Sequence, residues 1–159
     1  MHSYVLGFAG RHQESIAEAE RSLSLDVDSF LAHWNLMRGH AWAGQCDRAV
    51  ELAPALLSAS GRHQWALGLL AWTYGKARRV ELARAVYDEI EARSRHEFMS
   101  PFWLATAAAA AGLQEQSIRW AERAVIERDP CVVWGRTVPF WDAIRAHPRF
   151  EEVVRGVWG

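Results

Sequence analysis

The chain has 159 residues, half of them hydrophobic and 23% charged, with a formal net charge of −1 at pH 7. That length suits one domain with a sizeable buried core. The near balance of charge leaves no overall basic field of the kind that holds nucleic acid.

Alanine, leucine, glutamate and arginine are abundant and β-branched runs are scarce, which predicts an all-α fold. In chain order, a short apolar helix from Met1 to Ala9 stops at Gly10. His12 to Leu25 follows, with Ile16, Ala19 and Leu23 on one face. Asp26 to Ser29 is a polar break that supplies capping residues. Leu31 to Ala43 and Asp47 to Ser58 make a helix pair around a turn at Gly44-Gln45. Gln64 to Lys76 with Glu81 to Ser94 make a third pair, and Pro101 to Ala111 with Glu115 to Glu127 a fourth. The turn positions Gly10, Gly44, Arg78 and Gly112 stand 34 residues apart. A fixed period of that size predicts a stack of helix pairs in which each unit buries its neighbour's face.

The units share more than length. The third reads Leu67-x2-Leu70-Ala71-x2-Tyr74 and then Ala83-x3-Tyr87. The second reads His33-x2-Leu36-Met37-x2-His40 and Ala49-x3-Ala53, and the fourth Pro101-x2-Leu104-Ala105-x2-Ala108 and Ser117-x3-Ala121. The first keeps Ser15-x3-Ala19 and Ser22. This pattern resembles the tetratricopeptide repeat family, W-x2-L-G-x2-Y, then A-x3-F, then P. Arg78 departs from it in place of the turn glycine, and units one to three lack the final proline. The resemblance covers roughly residues 1 to 130, as repeats at about 1–28 (partial), 29–62, 63–96 and 97–130. The tail, 131–159, with ERDP before it and VPFWDAIRAHPRFEEVV within it, looks like the closing segment of bacterial arrays found behind kinase, cyclase or transcription-regulator modules. Pro139 and Pro148 suit the first turns of two short helices. Phe140, Ile144, Phe150, Val153 and Val154 are expected to cover the last repeat.

The resemblance implies a right-handed solenoid of antiparallel helix pairs with a short C-terminal helical cap, in one domain over 1–159. It also implies a concave face lined by the first helix of each pair. In register, that face carries Leu31, Trp34, Asn35, Arg38, Ala41 and Trp42 in unit two. Unit three supplies Trp65, Gly68, Leu69, Trp72, Gly75 and Lys76. Unit four supplies Met99, Phe102, Trp103, Thr106, Ala109 and Ala110, and unit one supplies Tyr4, Gly7 and Phe8. Five of the nine tryptophans fall there. Exposed together they would make a patch larger than a monomer surface usually carries. The expected function is therefore protein or peptide binding by a non-catalytic adaptor. Trp34, Asn35, Arg38, Trp42, Trp65, Leu69, Trp72, Lys76, Phe102, Trp103 and Thr106 are its candidate ligand contacts, with Arg38, Asn35 and Lys76 fixing polar ends. The family's carboxylate clamp, Lys and Asn at the fifth and ninth repeat positions, is replaced by Trp34 and Arg38 and by Gly68 and Trp72. The alternatives are a regulatory module that binds a small effector or signalling peptide, and a self-assembly unit. Beginning midway through a unit leaves Tyr4, Val5, Leu6 and Phe8 uncovered, which predicts either upstream sequence or a homodimer through that edge.

Catalytic motifs are missing. The sequence has no glycine-rich phosphate loop, nucleophile elbow or zinc-spaced Cys/His cluster, so no enzyme activity, metal or cofactor is expected. His33 and His40 lie about 10 Å apart along a helix that rises ~1.5 Å per residue, and packing is the expected role. Glu151-Glu152 reads as a solvated helix start, and Arg78, Arg79 and Arg84 as a solvated basic cluster. Cys46 and Cys131, unspaced for metal or redox work, suggest a reducing compartment. MHSYVLGFAGRHQES lacks the regions of a secretory signal. The alanine-rich run from Phe98 to Leu113 is too short to span a bilayer. A cytoplasmic protein with no membrane or nucleic-acid partner is expected.

Overall fold

A computed structural model describes residues 2–158; Met1, expected to open the first helix, and Gly159, expected within the cap, lie outside the described residues. The fold is all-α, and no strand occurs among the described residues. Helices α1 (His2–Phe8), α2 (His12–Leu25) and α3 (Phe30–Trp42) come first. They are followed by α4 (Cys46–Glu51), α5 (Ala53–Ser60), α6 (Gln64–Lys76) and α7 (Val80–Arg93). Helices α8 (Pro101–Ala110) and α9 (Gln114–Ile126) precede two 3₁₀ turns, Pro130–Trp134 and Pro139–Ile144, and a last helix, α10 (Phe150–Trp158).

The 34-residue spacing is written into the backbone. Gly10, Gly44, Arg78 and Gly112 all have positive φ, at 75°, 79°, 57° and 74°. At each, the amide one residue further on reaches back five residues to a helix carbonyl: Arg11 to Leu6, Gln45 to His40, Arg79 to Tyr74 and Leu113 to Ala108. These are four copies of one left-handed helix stop. The stop recurs at Arg78 although a β-carbon disfavours that conformation. The residues five beyond each turn, Ser15, Ala49, Ala83 and Ser117, are all fully buried. Ser15 Oγ donates to Ser3 O and Ser117 Oγ to Ala105 O, each at 2.7 Å. Small side chains at this register let the two helices of a pair approach.

Helices pack on their neighbours in the chain, α1 on α2, α2 on α3, α6 on α7, α7 on α8 and α8 on α9, and α6 also packs closely on α8, two elements further on. The largest wholly buried side chains, Met37, Leu56, Leu67, Leu69, Ile90, Leu104 and Ile118 among them, run through one core. Ile16, Ala19 and Leu36 form a smaller cluster beneath α2.

Two expected elements differ. The helix expected from Asp47 to Ser58 is broken at Leu52 into α4 and α5. Pro54 in the first turn of α5 has no N–H to donate, and its ring crowds the carbonyl four residues back. The expected two-helix cap is instead two 3₁₀ turns and one helix. Pro130 and Pro139 open the 3₁₀ turns, whereas Pro148 sits in the turn before α10. Phe140, Ile144, Phe150, Val153 and Val154 are buried as expected. α10 lies against α9, and the second 3₁₀ turn packs chiefly against α8.

Candidate functional site

The face expected to be concave is carried by α3, α6 and α8, the first helix of each pair, with α1 at its near end. These helices are apolar nearly all round. Helix α8 buries nine consecutive residues, Pro101 to Ala109. A helix with no polar stripe has material on every side. Here that material is the chain's own tail.

Asp129 starts the tail on its course. It is buried, and its Oδ2 accepts hydrogen bonds from Ser100 Oγ and from the Phe102 amide at 3.2 Å, while Oδ1 accepts from the Cys131 amide at 2.9 Å. One carboxylate therefore caps both α8 and the first 3₁₀ turn. Beyond it, Phe140 inserts among the rings of Trp72, Trp103 and Trp42, with centroids 5.3, 5.2 and 6.0 Å away. Trp141 stacks on Phe102 at 4.9 Å and donates through Nε1 to Thr106 Oγ1 at 3.1 Å. Trp72 Nε1 donates to Pro139 O at 3.0 Å. Gly135 gives Trp141 room, since a β-carbon there would stand 2.6 Å from the indole. Gly68 does the same for Trp103, at 2.3 Å.

The tail does not fill the face. Between α1, α3 and the first 3₁₀ turn remains a cavity of about 390 Å³, walled by Tyr4, Trp34, Asn35, Trp103, Trp134 and Phe140 among others. Eight of its eleven wall residues are aromatic. Trp34 Nε1 is satisfied by Trp65 O at 3.1 Å. The indole N–H groups of Trp42 and Trp103, also on the wall, have no partner among the described residues. On the other side of Trp42 and Phe8 lies a more polar hollow of about 330 Å³ that includes His12, Lys76 and Thr137.

Arg38 stands behind the aromatic wall with 0% of its surface exposed. Its guanidinium carbon lies 4.7 Å from the Tyr4 ring centroid, 5.2 Å from Trp34, 4.6 Å from Trp42 and 5.5 Å from Phe8. Nη2 donates to Asn35 Oδ1 at 2.9 Å and, at 3.4 Å each, to the carbonyls of Ser3 and Tyr4. Nε and Nη1 have no acceptor among the described residues. Among the described residues no carboxylate pairs with it. Burial pushes the guanidinium down to about 10, against an ordinary 12.5. Burial also raises the Tyr4 phenol, an effect that Arg38 opposes. Gly7 leaves the space the guanidinium uses, since a β-carbon there would stand 2.8 Å from Nη2.

The eleven candidate contacts therefore divide. Leu69, Phe102 and Thr106 are covered by core and tail, and Trp72, Trp34 and Trp103 are buried as well, the last two at the cavity wall. Trp42 is half-buried between the two hollows, and Asn35 is buried at the cavity wall. Arg38 lies behind that wall. Trp65, 40% exposed, and Lys76, whose Nζ sits 5.8 Å over the Trp72 ring, face outward. The single open aromatic patch anticipated from the repeat register is thus divided by the tail into a sealed core and a cavity. Of the expected dimer edge, Leu6 is buried. Tyr4 and Phe8 lie 6.1 and 6.0 Å from Trp134, leaving Val5 as the most exposed member at 60%. His33 and His40 are held by Val27 O and the Gln45 side chain. Sequence reasoning missed Asp129, Trp134 and Trp141. The signal was the ERDP turn followed by three closely spaced aromatics, too many for the end of a stack.

Comparison with known protein families, with curated proteins and with solved structures finds no match. Among the described residues no helix is long and apolar enough to cross a membrane, and no group of three metal-binding side chains occurs.

Proposed function

We propose that the chain is a non-catalytic binding module, a tetratricopeptide-type solenoid whose concave face recognises an apolar, aromatic-bearing segment of a protein or peptide, in the cytoplasm. The observation that carries this reading is the seating of Val138 to Trp141. Phe140 sits in an aromatic socket while Trp72 grips the neighbouring main chain through Pro139 O. Side-chain pockets combined with main-chain hydrogen bonds are how grooves hold peptides. In this chain the tail takes the place of the peptide, and a partner segment of the same chemistry would compete with it.

The test uses full-length chain carrying Phe140→Ala, which loosens the tail, and a labelled synthetic peptide with the sequence TVPFWDAIR. Saturable binding that falls when the peptide's phenylalanine becomes alanine, and that is weaker to the wild-type chain, is the expected result. Absence of saturable binding, or equal binding of both peptides, refutes the reading. A small-effector role is the second reading, favoured by the aromatic-walled cavity.

A further inference from the structure

We propose that the cavity between α1, α3 and the first 3₁₀ turn binds a small aromatic carboxylate, with Arg38 as its buried counter-charge. The inference rests on the cavity alone and does not need peptide recognition by the groove.

A cation as deeply buried as Arg38 is normally matched by an anion, because removing charge from water is expensive unless it is paired. Four aromatic rings within 5.5 Å offset part of that cost through their negative faces. Three long or ordinary hydrogen bonds from Nη2 offset more, yet two donor positions are left without an acceptor. Tyr4, Phe8, Trp34 and Trp42, the rings packed around the guanidinium, all belong to the cavity wall. Asn35 joins the two places directly, lining the cavity while its Oδ1 holds Nη2. The cavity is therefore separated from an unpaired positive charge by a single aromatic layer, in an environment that screens charge poorly.

These features select the ligand. A cation would be repelled by Arg38, and a neutral ligand would leave its charge unmatched. A monoanion matches it. The predominantly aromatic wall favours a flat apolar body. At about 390 Å³ the volume lies near the lower end of the ~300–1,000 Å³ range of small-molecule sites, which fits one ring system and a short acidic arm.

The experiment titrates the wild-type chain by calorimetry with phenylacetate, indole-3-acetate and benzoate, each beside its neutral amide. An acid is expected to bind about tenfold or more tightly than its amide, the preference that a single charge acting across one aromatic layer in a poorly screened interior supports. The preference should survive raised salt, which a surface ion contact would not. In Arg38→Met, which keeps the side chain's length and removes its charge, acid and amide should bind alike. Equal binding of acid and amide by wild type, loss of the preference in salt, or no saturable binding of any acid overturns the proposal. Should Arg38→Met fail to fold by circular dichroism, the acid–amide comparison in wild type decides alone. Failure of the TVPFWDAIR titration leaves this outcome untouched, and the reverse also holds.

Discussion

Replacing Phe140 by alanine removes the side chain that ties the tail to three separate helices. Its ring touches Trp42 on α3, Trp72 on α6, and Phe102 and Trp103 on α8, with centroid separations from 5.2 to 6.3 Å. The surrounding indoles are held by their own packing and, for Trp72, by the bond to Pro139 O, so the vacated space cannot close fully. A buried Phe→Ala change under those conditions costs about 3–5 kcal/mol. The loss falls on the tail first, because the change removes its one side chain that touches all three helices and leaves its middle held by Trp141 and the Trp72 bond. A cost of ~4 kcal/mol lowers the docked-to-undocked ratio by roughly a thousandfold. Urea unfolding followed by tryptophan fluorescence should therefore show a lowered midpoint. Brief trypsin treatment under native conditions should cut after Arg136 and Arg145 well before any site in α2 to α9. Arg145 is otherwise protected by its bonds to Asp142 and Val138 O. A loss below about 1 kcal/mol together with unchanged cleavage would show that the tail does not depend on this socket, and the account of the groove would fail.

Three further outcomes are expected. Arg78→Gly relieves a left-handed residue at φ 57° and should raise stability by about 1 kcal/mol in urea unfolding; a loss would mean that the arginine side chain carries more than its backbone costs. Asp129→Ala removes the acceptor shared by Ser100, Phe102 and Cys131 and should cost about 2–3 kcal/mol, with the tail becoming sensitive to protease; no change would exclude the shared cap. The Cys131 thiol is pushed up to about 12 by burial and by Asp129, from an ordinary 9.0. The native state then keeps a proton that the unfolded chain releases, so this group's contribution to stability falls as pH rises from about 9 towards 12. Cys131→Ala should flatten that slope. Iodoacetamide near pH 8 should label Cys46 and spare Cys131, as intact mass will show.

The two halves of the molecule were unequally legible, and the reason is the range of the interactions involved. Everything repeated every 34 residues could be read directly: helix pairs, the stops at Gly10, Gly44, Arg78 and Gly112, and the small residues at Ala49, Ala83 and Ser117. Such features depend on local backbone geometry and on contact with the next unit, and each unit restates the rule. Even Arg78, which breaks the glycine pattern, keeps its left-handed turn, closed by the same backbone bond from the next amide, Arg79 to Tyr74 O. The break before Pro54 was just as local, a missing N–H inside one helix, yet the expected Asp47–Ser58 helix ran straight through it. The fate of the tryptophans was different. Whether Trp72 faced water or core depended on Phe140, 68 residues away, and on the single carboxylate of Asp129 that aims the tail. Periodicity carries no information about that, since the tail belongs to no repeat. Arg38 shows the same limit. Its register placed it correctly beside Trp34 and Trp42, but only tertiary packing brought Tyr4, Gly7 and Phe8 around it and left its charge without a counter-ion. The sequence alone determined the helices and the face they present. What lies on that face was decided by contacts between residues far apart in the chain, whose free energy comes from burial that no local pattern records.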